Sequence, residues 1–116
     1  MRQNPRASER TIVVVGLPER LTLMHNQTFL VEIHALLNTD RPRIVFDLSQ
    51  VQEIDRAGTD MLLHCVRQVI RQDGDLTLAA VPAEIMVVLE LTYIDRLFEI
   101  FESNSDAVES YTRLAA

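Results

Sequence analysis

Asp47 and Asp55 are the two carboxylates of this sequence best placed to do chemistry. Asp47 sits near the close of an apolar run, Ile44-Val45-Phe46-Asp47-Leu48, and Asp55 opens the periodic segment that follows. Ligand sites in α/β sheets gather at the carboxyl ends of strands, so this pair is the one plausible cleft constellation. General acid–base work needs a companion base within reach, and none accompanies the pair. A phosphate cradle needs a glycine-rich loop, and the only glycines are Gly16, Gly58 and Gly74. All 11 basic residues are Arg, which excludes a P-loop lysine and a Schiff-base lysine.

The other reactive residue types are no better arranged. His25 and His34 lie nine residues apart, and neither has a carboxylate or histidine at metal-ligand spacing, so no metal is expected. Cys65 adjoins His64, but neighbours on a helix point about 100° apart and make no nucleophile–base pair. Cys65 reads as a core residue. No cofactor motif is found, and the sequence reads as that of a protein without catalytic activity.

Asp55-Arg56-Ala57-Gly58 is the most informative tetrapeptide. Asp55 is a helix-capping residue for the orphan backbone donors, and Gly58 allows a close approach. Arg56 fits a cap less well, because a cation in the first turn opposes the helix dipole. An exposed Arg there suits a partner's carboxylate.

The elements that must hold this segment follow from hydrophobic periodicity. Residues 1–10 are polar, carry Pro5, and read as a flexible N-terminal arm; residues 11–116 read as a single domain. Thr11–Val15 is β-branched and continuous, which predicts a strand covered on both faces. Residues 22–38 carry Phe29, Leu30, Ile33, Leu36 and Leu37 on one helical stripe, ended before Pro42. Residues 44–48 predict a second strand. A second helix starts at Asp55, with Leu62, Leu63, Val66, Val69 and Ile70 on its apolar face, and stops near Gly74 as a positive-φ cap. Residues 76–81 predict a third strand, and Pro82 the first position of a helix lined by Ile85, Val88, Leu89 and Leu91. Residues 98–101 predict a short strand, and Ser103 with Asp106 a capping pair for a last helix. Strand–helix alternation repeated four times predicts an α/β fold with a mostly parallel sheet of four or five strands and about four helices.

With 116 residues, this is one domain with its own core. The net charge of −6 argues against binding a phosphate backbone, so no nucleic acid is expected. No apolar run reaches the ~20 residues of a membrane span and no signal peptide is visible. A single cysteine fits a reducing compartment. A cytoplasmic protein without direct membrane insertion is therefore expected. From Glu84 to Glu109 there are seven acidic residues against Arg96 alone, a solvated face or a docking face for a basic partner.

The stretch Arg43–Val51 followed by Ile54-Asp55-Arg56-Ala57-Gly58 resembles the STAS domain family, the anti-sigma-factor antagonist domains also found attached to sulfate transporters. The similarity continues through Asp75–Leu78, Val88–Thr92, Asp95–Phe101 and Asp106–Val108. The resemblance implies a small α/β sandwich and an interaction module with no catalysis of its own. Its partner would be an anti-sigma factor that is also a serine kinase, bound through Asp55, Arg56, Ala57, Gly58, Thr59 and Asp60. In the antagonist branch the kinase phosphorylates the hydroxyl just before the glycine. Here that position is Ala57, which has none, so no phosphoacceptor is expected there. Thr59 supplies the nearest hydroxyl, displaced by two positions, about 200° around a helix. Tyr93 also departs from the pattern, since many members have a helix-ending glycine there. The alternatives are a soluble accessory subunit of an ABC-type lipid transporter and a small-ligand sensor using Asp47 and Asp55. A homodimer is left open.

Overall fold

The computed structural model describes residues 11–115. Four strands run β1 (Ile12–Gly16), β3 (Arg43–Asp47), β5 (Asp75–Ala79) and β6 (Ile100–Phe101). They form one sheet in the order β1-β3-β5-β6, every pair parallel. Parallel neighbours require crossovers, and these are the helices α1 (Leu23–Leu37), α2 (Arg56–Arg71) and α3 (Ala83–Leu91), with α4 (Asn104–Ala115) last. The register aligns Val13, Ile44 and Leu76 in one row and Val15, Phe46 and Leu78 in another. Alternation puts both rows on one face, where Phe29, Leu62, Val69 and Leu89 of α1–α3 cover them. Val45 and Ala79 point the other way, onto Ala107 and Tyr111 of α4. The predicted mixed α/β architecture with four helices stands.

Particular expectations shift. Val14 is 43% exposed, so β1 is not covered on both faces: it lies at one edge of the sheet, and α4 packs chiefly on β3, β5 and β6. Ile70 and Leu91 are exposed rather than on their helices' apolar faces. Pro82 is the residue before α3 rather than its first, and β5 ends before residues 80 and 81. Asp73, not Gly74, takes the positive φ after α2. Gly74 is required by proximity instead, since a Cβ there would lie 2.4 Å from the Pro42 carbonyl oxygen. Ser103 Oγ does accept from Asp106 N, at 3.1 Å, at the start of α4. The arm predicted over residues 1–10 lies outside the described residues.

Two further strands escape periodicity altogether. β2 (Arg20–Leu21) and β4 (Glu53–Ile54) pair in parallel as a separate two-residue ladder. Each leads directly into a helix, β2 into α1 and β4 into α2. That ladder ties the two helix starts together.

Candidate functional site

The candidate site is the start of α2. Asp55 has the extended backbone of an N-cap, and its Oδ1 accepts from Gly58 N at 2.9 Å. This satisfies one of the donors that a helix start leaves open. Its Oδ2 accepts from Leu23 N at 3.2 Å. Leu23 is the first residue of α1, whose own N-cap Thr22 makes no side-chain cap bond to the backbone; the Thr22 hydroxyl is instead 2.8 Å from His25 Nδ1. One carboxylate therefore serves two helix N-termini, where the dipoles favour negative charge.

Gly58 is buried, and its α carbon faces the backbone of β2: an added Cβ would lie 2.1 Å from the Leu21 carbonyl oxygen and 2.7 Å from Ile54 Cγ1. Leu21 O also accepts from Asp55 N at 3.2 Å. The segment is thus fixed from below by β2 and from its flank by α1.

What remains on the surface is a subset of the predicted residues. Asp55, Arg56 and Asp60 are exposed and Ala57 is half-buried. The Arg56 guanidinium pairs with no carboxylate among the described residues. Thr59 is 5% exposed, and its hydroxyl donates to the Arg56 carbonyl at 2.8 Å. Gly58 and Thr59 therefore shape the segment from inside, while Asp55, Arg56, Ala57 and Asp60 form its face. Beside them, a pocket of about 460 Å³ runs between α2 and α3, reached by Arg56, Asp60 and Val88.

Asp47 belongs elsewhere. Its Oδ2 accepts from Asn104 Nδ2 at 3.0 Å and its Oδ1 from Ser49 N at 2.9 Å. Partial burial works against its charge, but donation from Asn104 and Ser49 outweighs this and holds its pKa below the ordinary 3.8. Asp47 locks the end of β3 to the start of α4 and shares no hydrogen-bond partner with Asp55. No hydrogen bond among the described residues links the two carboxylates. No cluster of three or more metal-ligating side chains occurs among the described residues, and none of the described helices is long and apolar enough to cross a membrane. Cys65 is fully buried, and burial pushes its thiol up to about 12.

The seven acidic residues from Glu84 to Glu109 do not share a face. Glu84 and Glu90 lie on α3, and Asp106 and Glu109 on α4, on opposite sides of the sheet. What the sequence did not bring together are His34 and His64, which line one groove between α1 and α2 with Ala57 and Asp60. Their 30-residue separation carries no local signal.

A family model described as STAS domain matches residues 3–107. Among solved structures, a Thermotoga maritima protein proposed as an anti-sigma factor antagonist is 25% identical, with TM-score 0.76 over 84% of this chain and 86% of that one. An anti-sigma-factor antagonist (STAS) domain protein from Planctomyces limnophilus is 19% identical, with TM-score 0.76 over 84% and 87%. The STAS domain of a SulP transporter from Vibrio cholerae is 13% identical, with TM-score 0.70 over 97% and 84%.

Proposed function

The chain belongs to the STAS domain family, and from that premise we infer that it is a non-enzymatic interaction module of the antagonist type. It engages an anti-sigma factor/serine kinase through the exposed face of α2's first turns: Asp55, Arg56, Ala57 and Asp60. The observation that carries this reading is the rigid presentation of that turn. Asp55 and Gly58 fix it against α1 and β2, while Arg56 stays exposed and unpaired among the described residues, available to a partner's carboxylate.

The same geometry argues for a module that is not switched at this turn. A phosphate adds about −1.5 to −2 charge and three acceptor oxygens, enough to remake such a surface. Ala57 has no hydroxyl to receive it. The Thr59 hydroxyl is buried and already donates to Arg56, a poor target for a kinase that must seat its acceptor in line. The reading is therefore a constitutive binder.

The test is affinity capture of the tagged protein from its native cell extract, with mass spectrometry, beside an Ala57→Asp variant. The reading expects an ATP-binding serine kinase that is retained by the parent protein and lost with the aspartate, and no mass increase of the captured protein after incubation with ATP. Recovery of transporter ATPase subunits instead would move the assignment to a transporter accessory role. Phosphate uptake at Thr59 would overturn the constitutive reading.

A further inference from the structure

The chain leaves α3 through Tyr93, which stands at φ 62° and ψ 13° ahead of a short 3-10 helix, Ile94–Leu97. Arg41, Asp73 and Ala80 also take positive φ, but none of them is aromatic. A bulky side chain is costly in this region, and glycine would hold the same turn without that cost. Packing returns little for it. The Tyr93 side chain is 63% exposed, and the ring interaction it makes among the described residues is with Arg96, 4.8 Å from its centroid. A strained residue that the packing does not require points to a contact made outside the chain.

Its neighbours define that contact. Val87, Leu91 and Leu97 are exposed as well, so four of the nine exposed large hydrophobic side chains among the described residues fall between residues 87 and 97. Thr92 and Ile94, on either side of Tyr93, line the pocket of about 460 Å³ together with Val88, while Arg56, Asp60 and Leu63 line it from α2. The strained turn is therefore one wall of a pocket whose other wall is the candidate site. Most polar groups of the pocket are already used. The Asp55 carboxylate accepts from Gly58 and Leu23, the Thr59 hydroxyl donates to the Arg56 carbonyl, and the Thr92 hydroxyl donates to the Val88 carbonyl. Arg56 and Asp60 are left over, since neither side chain makes an ion pair or hydrogen bond among the described residues. They stand one turn apart on α2, ~6 Å along the axis.

We propose that Tyr93 anchors a segment of a protein partner that carries an apolar side chain between a carboxylate and a cation. The apolar side chain enters the pocket between Leu63 and Val88, the carboxylate meets Arg56 and the cation meets Asp60. The flank of the segment packs on Tyr93 and Leu91, with Arg96 holding the ring in place from behind. Tyrosine and arginine are the residue types in which protein interfaces concentrate their binding energy, and an aromatic ring already braced loses little freedom on contact. The identity of the partner rests on the reading of the α2 face given above; the role of Tyr93 does not.

The test places the photo-crosslinking residue p-benzoylphenylalanine at position 93 of the full chain, and separately at positions 56 and 112, and irradiates each in native cell extract. Adducts of one common mass are expected from positions 93 and 56 and none from 112, with the joined partner peptide carrying an apolar residue between an acid and a base. The partner so identified is then purified and titrated against two variants. Tyr93→Gly relieves the strain, and is expected to bind about tenfold more weakly or worse with a thermal midpoint close to the parent's. Tyr93→Phe, which keeps the ring, is expected to bind like the parent. An adduct from position 56 without one from 93, or Tyr93→Gly binding like the parent, overturns the role of Tyr93 and leaves the α2 face standing. An adduct from position 93 without one from 56 supports the role of Tyr93 and overturns the α2 reading. No adduct from either position overturns both.

Discussion

The Cβ that Gly58 lacks would fall 2.1 Å from the carbonyl oxygen of Leu21. Backbone, not a flexible side chain, occupies that space, so a larger residue must push α2 off β2. Overpacking of this kind costs about 1–3 kcal/mol, and Gly58→Ala is expected at the upper end of that range. Urea unfolding checks it, with a lowered midpoint and an unchanged slope. A helix propensity gain of ~1 kcal/mol favours alanine, so a stabilised variant would mean that α2 does not rest on β2.

Asp55 caps α2 and also accepts from the first residue of α1. Removing an N-cap typically costs ~1 kcal/mol within a range of about 0.5–2. Asp55→Ala is expected near the upper limit, because two helix starts lose their acceptor, whereas Asp55→Asn keeps an oxygen for one of them and costs less. Amide hydrogen exchange localises the effect: protection falls at Leu23 and Gly58 together in the alanine variant. Loss at Gly58 alone would leave the shared cap without support.

Asp47 gives a pH signature. Its folded-state pKa is depressed, because donation from Asn104 and Ser49 outweighs the opposing effect of burial. A depressed carboxylate contributes stability that is present above its unfolded pKa and lost as pH falls through the folded one. The stability gap between the parent protein and Asp47→Asn is therefore expected to hold steady from pH 7 to about 5 and to close below about 4. A gap that is independent of pH would show that shape, not charge, is what Asn104 recognises.

Cys65 is fully buried on α2, with its Sγ 3.6 Å from Met61 Sδ. Burial raises its thiol to about 12, and the thiolate is the reactive form. The native protein is expected to be inert to a disulfide exchange reagent at pH 8 and to release one equivalent on unfolding. Rapid labelling in the native state would place the residue outside the core.

Tyr93 tests backbone strain. It sits after α3 at φ 62°, where a side chain costs roughly 1–2 kcal/mol, and Arg96 stacks on its ring at 4.8 Å, which returns about 0.5–1 kcal/mol. Tyr93→Gly is expected to change stability by less than about 1 kcal/mol, a near-cancellation readable in the thermal midpoint when compared with Tyr93→Ala, which loses the stack but keeps the strain.

Much of this was legible in the residues. The β-branched runs at Val13 and Val45 and the helical stripe Phe29–Ile33–Leu37 each extend over enough positions for a period to show. Asp55 and Gly58 announced a cap and a close approach, and the position of Tyr93 marked a turn normally given to glycine. The two-residue strands β2 and β4 could not be read, because two positions carry no period, yet they are what Gly58 packs against. Thr59 was counted with the surface by its place in the motif, and only the helix direction shows that its hydroxyl turns inward. Ile70 and Leu91 look apolar-faced in a periodic count, but they lie about 100° and 200° around their helices from the buried Val69 and Leu89 and so face outward. The groove shared by His34 and His64 is a product of helix pairing, invisible in a chain where they lie 30 residues apart.

A partner seated on α2's first turn would lie within reach of a crosslinker placed there. The most direct measurement places a photo-crosslinking amino acid at position 56 and, separately, at position 112, which is exposed on α4 across the sheet, and irradiates the protein with its captured kinase. An adduct is expected from position 56 and none from position 112. Adducts from position 112 and none from position 56 would contradict this placement.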